Sequence, residues 1–108
     1  MYQRTVKLTI GAGAAGNATD LINRIHTDLT QAIETAAGFI AVTAVKIDDQ
    51  TVITTRLFRD LASINAETQA TTQTSEKIAT DFNLTVDVIV DGEANIGVAS
   101  ELTEEFQP

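Results

Sequence analysis

GFIAVTAVKIDDQTVITTRLFRD, residues Gly38 to Asp60, decides how the chain is read. Phe39 to Ile47 and Thr51 to Phe58 are both rich in β-branched and aromatic residues, and the polar Asp48-Asp49-Gln50 between them is a turn. Two such runs joined by so short a loop form a β-hairpin. Gly38 is a natural residue to end a helix before the hairpin, and Asp60 opens a helical region after it. The first strand of the hairpin does not alternate. Phe39, Ala41, Val45 and Ile47 are apolar at one parity, and Ile40, Val42 and Ala44 at the other. A sheet with one wet face alternates apolar with polar, so both faces of this ribbon are expected to be covered.

Upstream, residues 18 to 37 carry Ala18, Leu21, Ile22, Ile25, Leu29, Ala32, Ile33 and Ala36 at steps of three and four. That spacing predicts one amphipathic helix. Asn17 or Thr19 can cap it, and Asp20 in its first turn suits the helix dipole. Before it, Tyr2 to Ile10 alternates, with Val6, Leu8 and Ile10 on one face, and predicts a strand. Downstream, residues 60 to 82 predict a helix to about residue 71 and a second piece, or its continuation, over 75 to 82. The threonine-rich middle has weak helix propensity. Leu84 to Val90 predicts a strand, Asp91-Gly92 a turn, and Ala94 to Ala99 a short edge strand.

The order strand, helix, strand, strand, helix, strand is the ferredoxin-like βαββαβ arrangement. It is an α+β fold with a four-stranded antiparallel sheet and two helices on one face. Helices can cover only that face. The simplest cover for the other is a second copy, which gives a two-fold homodimer. Residues 1–100 form a single domain on this reading, and 101–108 form an acidic, solvated C-terminal tail.

Bulk properties agree with this. The 108 residues fit one domain, and a content of 44% hydrophobic and 20% charged residues marks a globular chain. The net charge of -8, without a basic cluster, repels a phosphate backbone, so no nucleic-acid partner is expected. The absence of cysteine excludes a disulfide framework and a thiolate zinc site, and leaves a cytoplasmic location as the default. No apolar run reaches the ~18 residues of a membrane span, so no membrane partner is expected.

The layout resembles the dimeric α+β barrel superfamily, in particular its antibiotic-biosynthesis-monooxygenase-like domains. Ala36-Ala37-Gly38-Phe39-Ile40 is similar to the "PGF" stretch with which those domains leave a helix for the second strand. The likeness continues through Asp48-Asp49, Val52-Ile53-Thr54-Thr55 and Phe58-Arg59-Asp60, and Gly92-Glu93 is similar to the family's late "GE". Together these cover most of residues 2 to 98. The resemblance implies a ligand pocket between helices and sheet and, if the chain is an enzyme, oxygenation without a cofactor. Two departures stand out. Phe58 occupies the strand end where such domains often carry tryptophan, and residues 60 to 82 lack the histidine used by the haem-degrading relatives. Haem chemistry is disfavoured, and no cofactor is expected.

Gly11-Ala12-Gly13-Ala14-Ala15-Gly16 is a literal GxGxxG between a strand and a helix, the form of a dinucleotide fingerprint. That fingerprint belongs to a compact βαβ unit of ~30 residues with an acid ~20 residues beyond the glycines. Here the first acids past the next strand are Asp48 and Asp49, and a hairpin follows. A flexible small-residue loop is the expected reading; an anion or nucleotide at Gly11, Gly13 and Gly16 is the alternative. His26, the single histidine, borders the apolar helix stripe and is either a surface residue or a polar group at the pocket mouth. Arg56 lies inside a strand and needs a carboxylate, for which Asp87 is the expected partner; an anionic ligand is the alternative. Tyr2 and Phe58 are candidates for the pocket wall, with core packing the competing role. One histidine and scattered carboxylates lack metal-ligand spacing. No nucleophile–base set is evident, so the sequence leaves catalysis undecided. The expectation is a small homodimeric protein that binds a small organic ligand between helices and sheet; the resemblance implies a monooxygenase-like activity if it is an enzyme. The alternatives are a non-catalytic ligand-binding or assembly module, and nucleotide binding at the GAGAAG loop.

Overall fold

The computed structural model describes residues 1–95. The elements are β1 (Tyr2–Ile10), α1 (Ala18–Asp28), α2 (Thr30–Glu34), β2 (Phe39–Asp48), β3 (Thr51–Phe58), α3 (Leu61–Ala70), α4 (Thr72–Asp81) and β4 (Leu84–Glu93). The four strands form one antiparallel sheet in the order β2-β3-β1-β4. This is the expected ferredoxin-like topology, with both helical segments on one face.

The first helix, expected to be continuous, is broken in two, and the second helical region is two pieces. The first stops at Leu29, resumes at Thr30 and ends at Glu34 rather than at residue 37. The reason is local. Thr30 turns its hydroxyl back to the Ile25 carbonyl at 3.4 Å, and β-branched residues with such a competing bond weaken a helix. The second breaks at Thr71, a narrower gap than the threonine-rich middle suggests. Thr68, Thr71 and Thr72 donate to the carbonyls of Ile64, Glu67 and Thr68, which holds the backbone near helical geometry through that stretch. The starts follow the capping chemistry. Asn17 and Asp20 form a reciprocal capping box on α1. Asp60 caps α3 by accepting from the Ser63 amide at 2.8 Å, and the Ser63 side chain first, then that amide, hold its carboxyl below the ordinary carboxylate value.

Two sequence expectations at the C-terminal end change. Asp91 and Gly92 lie within β4, not in a turn, because the strand continues along β1 as far as Tyr2. Ala94 and Asn95 are not in a strand; the rest of the expected 94–99 edge strand, and the tail at 101–108, lie outside the described residues.

Strand parity sorts the sheet's two faces. Val6, Leu8 and Ile10 of β1 and Val52 and Phe58 of β3 face the helices, where they meet Leu21, Leu29, Ile33, Ile64, Ile78 and Phe82. Phe58, Leu21, Ile33, Ile64 and Val52 are the largest fully buried side chains; each stabilises the fold by about 1.5–3 kcal/mol through burial. Phe58 meets Phe39 edge-on, with ring centroids 5.9 Å apart. The opposite face carries a row of threonines, Thr43, Thr55 and Thr5, with a 3.0 Å bond between the Thr5 and Thr55 hydroxyls. Val45, Ile53 and Leu57 stand beside this row, and Val45 is 51% exposed. The greasy ribbon of the sequence is thus apolar on both sides, with helices over one. Among the described residues no helix is long and apolar enough to cross a membrane.

Candidate functional site

Between the sheet and the helices lies a cavity of about 430 Å³. Its wall on the sheet side is built by Val6 and Leu8 of β1, Val42 and Ala44 of β2, Thr54 and Arg56 of β3, and Leu84 and Val86 of β4. On the helix side stand Ile22, Ile25, Leu29 and Ile33, with Ile78 and Ala79 from α4. The space exists because several inward positions carry small side chains: Ala44, Thr54, Ser75 and Ala79 do not reach across. Arg24 ties α1 to α4 through a 2.8 Å ion pair with Asp81 while also holding Asp28.

The polar groups are few. Arg4 and Arg56 enter from the sheet, Thr68 from α3, Ser75 from α4, and His26 and Thr30 from the first helical segment. Arg4 and Arg56 are directly opposite one another in the β1–β3 register. The Arg4 fork is fully engaged. Its Nε donates to Asp91 at 3.1 Å, and its terminal nitrogens donate to the Thr68 hydroxyl at 3.2 Å and the Asn65 carbonyl at 3.4 Å. Arg56 is paired with Glu67 of α3, whose side chain is wholly buried; Nε and Oε1 are 3.3 Å apart. That contact is an ion pair without a hydrogen bond, since Oε1 accepts from no donor. The Tyr2 hydroxyl first, and then Arg4, hold the Asp91 carboxyl below its ordinary value, and the same contact with Asp91 pushes the Tyr2 hydroxyl up.

Of the residues expected at the pocket, His26 and Arg56 line it. His26 is an exposed residue on α1, at the cavity's outer wall. Phe58 is instead in the core, where the Phe39 ring and the helices seal it from the cavity. Tyr2 stands beside Arg4, whose guanidinium carbon is 6.0 Å from its ring centroid, outside the cavity lining. The expected Arg56–Asp87 pair does not form. Asp87 is the register partner of Lys7, an odd position of β1, so it points away from the face that carries Arg56. The acid that Arg56 needs comes from a helix.

Sequence reasoning passed over Arg4 and Glu67. Arg4 shares parity with Val6 and Leu8, which places it on the covered face. Glu67 is three residues beyond Ile64, on the inward side of α3. Both signals are present, but a charged residue at such a position is ordinarily assigned to solvent.

Packing explains Gly11 and Gly16 of the glycine loop, and a positive φ of 78° explains Gly13. The amides of Gly11, Ala15 and Ala18 already donate to backbone carbonyls of Asn83, Asp81 and Asp49. A Cβ on Gly11 would sit 2.7 Å from the Asn83 carbonyl oxygen, and one on Gly16 would collide with Asp20. The Asp20 carboxylate occupies the start of α1, where a phosphate would otherwise bind. Among the described residues no cluster of three or more histidine, cysteine, aspartate or glutamate side chains could hold a metal ion.

No protein-family model and no curated protein matches the chain. Solved structures do. SnoaB, a cofactor-independent oxygenase from Streptomyces nogalater, in a single-residue mutant form, superposes with a TM-score of 0.66 at 6% identity, over 89% of this chain and 96% of its own. A monooxygenase from the gene ActVA-Orf6 of Streptomyces coelicolor, in complex with Nanaomycin D, gives 0.62 at 11% identity, over 88% and 90%. The NE2512 protein of unknown function from Nitrosomonas europaea gives 0.59 at 19% identity, over 89% and 95%. At such identities the likeness is one of fold alone: the chain shares the four-stranded α+β architecture of these proteins.

Proposed function

We propose that the chain works as a homodimer that binds a small, largely apolar organic molecule in the cavity between helices and sheet, and oxygenates it without a cofactor. The cavity carries the reading: about 430 Å³ of mostly apolar lining with a few polar groups, within the range in which proteins hold organic ligands. The reaction class draws support from the neighbours of like fold, SnoaB and the ActVA-Orf6 monooxygenase. The dimer draws support from the helix-free sheet face, where Val45 and Val90 are 51% and 42% exposed at positions a second sheet would cover.

A non-catalytic binding module is the second reading, and one observation favours it. Among the described residues, no hydrogen bond joins His26 to a carboxylate or hydroxyl that would orient it as a base.

Titration with the neutral dye N-phenyl-1-naphthylamine tests the cavity. Saturable fluorescence enhancement is expected, and Ala79→Phe, which fills the space from α4, should abolish it. Unsaturable enhancement, or no effect of Ala79→Phe, refutes the pocket. Oxygen consumption with a panel of polycyclic phenols separates the two readings: uptake supports the oxygenase, and a blank panel in the presence of dye binding leaves the binding module. Light scattering should give twice the 11.5 kDa chain mass, with Val45→Glu returning the single-chain value. A wild-type monomer refutes the dimer.

A further inference from the structure

We infer that the cavity takes an organic acid: a ligand with an apolar body and an anionic pair of oxygens received by Arg56. This rests on the reading of the cavity as a ligand site and adds the charge of what enters it.

The observation is an imbalance between two neighbouring guanidinium groups. Arg4 and Arg56 are register partners on the helix-facing side of the sheet. Side chains so placed stand about 5 Å apart at Cβ, and like charges there repel. Arg4 is provided for by Asp91, Thr68 and Asn65. Arg56 is not. Only 20% of its side-chain surface is exposed, it lines the cavity, and it makes no hydrogen bond among the described residues. Glu67 supplies charge at 3.3 Å but lies off the line of the Nε–H, and its Oε1 is left without a donor.

Arg56 lines the cavity, and no protein acceptor among the described residues takes any of its five donors, so they are open to an acceptor that enters there. Glu67 is sealed from the cavity, so it can neither turn to fill them nor touch a ligand. The acceptor that fits a guanidinium fork is a planar pair of oxygens with negative charge, which engages two N–H groups at once. Arg4 adds a second positive charge beside it, and the apolar remainder of the cavity accepts an aromatic or acyl body. The site therefore selects a carboxylate on a hydrophobic frame over a neutral molecule of the same shape.

Isothermal titration with 2-naphthoate and with 2-naphthamide tests this. The two differ in charge and hardly in size. The wild type is expected to prefer the acid by at least about tenfold, the worth of one charge-assisted hydrogen bond. Arg56→Gln combined with Glu67→Gln removes both buried charges and keeps the helix–sheet contact. It should erase the preference, bringing the acid and amide affinities within about twofold of one another. Should the double variant not fold by circular dichroism, Arg56→Lys, which keeps the charge and loses the fork, should lower the preference. Equal binding of acid and amide by the wild type, or a preference that survives these changes, overturns the inference and leaves the cavity reading standing. Failure of both naphthyl compounds and of the neutral dye overturns both.

Discussion

The pairing of Arg56 with Glu67 makes a prediction whose size follows from burial. The two charges are 3.3 Å apart. With an effective dielectric constant near 20 their attraction is about 5 kcal/mol, part of which offsets desolvation. The partners are unequal. The Glu67 side chain is fully buried, whereas Arg56 reaches the cavity. Arg56→Met strands a carboxylate with no access to water and should cost about 4 kcal/mol, the middle of the range for a broken buried pair. Glu67→Gln strands a guanidinium that can still be solvated through the cavity and should cost about 2 kcal/mol. The double variant removes both charges and should cost about 3 kcal/mol, less than the sum of the singles, for a coupling of about 3 kcal/mol. Urea unfolding followed by far-ultraviolet circular dichroism measures each corner of the cycle. Protein concentration must be fixed, since the stability of a dimer depends on it. Single-variant costs that simply add, or an Arg56→Met cost below about 1 kcal/mol, would show that the pair is not a buried ionic contact.

Two further outcomes follow from the loops and the sheet edge. The Asp91 carboxyl is held below its ordinary value by Tyr2 and Arg4, so its contribution to stability is present above the unfolded value near 4 and is lost as pH falls through the lower folded value. Acid titration of stability should therefore be flatter below about pH 4 in Asp91→Asn than in the wild type; identical acid limbs refute the contact. Gly38 and Gly13 both adopt positive φ, +81° and +78°, but a Cβ on Gly38 would collide with the Ser63 side chain, whereas Gly13 faces open space. Gly13→Ala should cost about 1 kcal/mol from backbone strain alone, and Gly38→Ala about 1–3 kcal/mol more from overlap. Thermal melts that rank them in the opposite order overturn this account of the turn before β2.

Local patterns in the sequence carry nearly all of the fold. Alternation in β1, the two runs of the hairpin and the stripe from Leu21 to Ile33 suffice for element order, because each reports burial on one face of a regular element. What they do not carry is interruption. The first helix breaks beside Thr30, whose hydroxyl bonds back to the Ile25 carbonyl, and the second breaks at Thr71, while the apolar spacing runs on undisturbed across both breaks. The site was half visible. Arg56 is conspicuous as a charge inside a strand, but its partner is not, because Glu67 sits among Asn65, Ala66, Thr68 and Gln69 and reads as one more solvated helix position. Only the docking of α3 on the sheet brings Glu67 to Arg56, and docking has no local signature. Asp87 looks better on paper because strand neighbours are easy to imagine paired; parity rules it out once the register is known.

Register also explains how Arg4 is held in place beside Arg56. From Ile10 to Val6, β1 pairs with β4 so that Leu8 meets Val86 and Val6 meets Val88. Had that register continued, Arg4 would face Val90, and Asp91 would lie on the helix-free side with Lys7 and Asp87. It does not continue. A bulge between Thr5 and Val6 leaves Ile89 without a register partner, after which Thr5 meets Val90 and Arg4 meets Asp91. A shift of one residue exchanges the faces of a strand. The extra residue therefore carries Asp91 to Arg4, where it receives the Nε bond and the Tyr2 hydroxyl. With Asp91, Thr68 and Asn65 all engaged on one arginine, the other is left with a single misaligned acid and the open cavity. The same slip that anchors Arg4 to the edge strand β4 thus leaves Arg56 as the guanidinium available to a ligand.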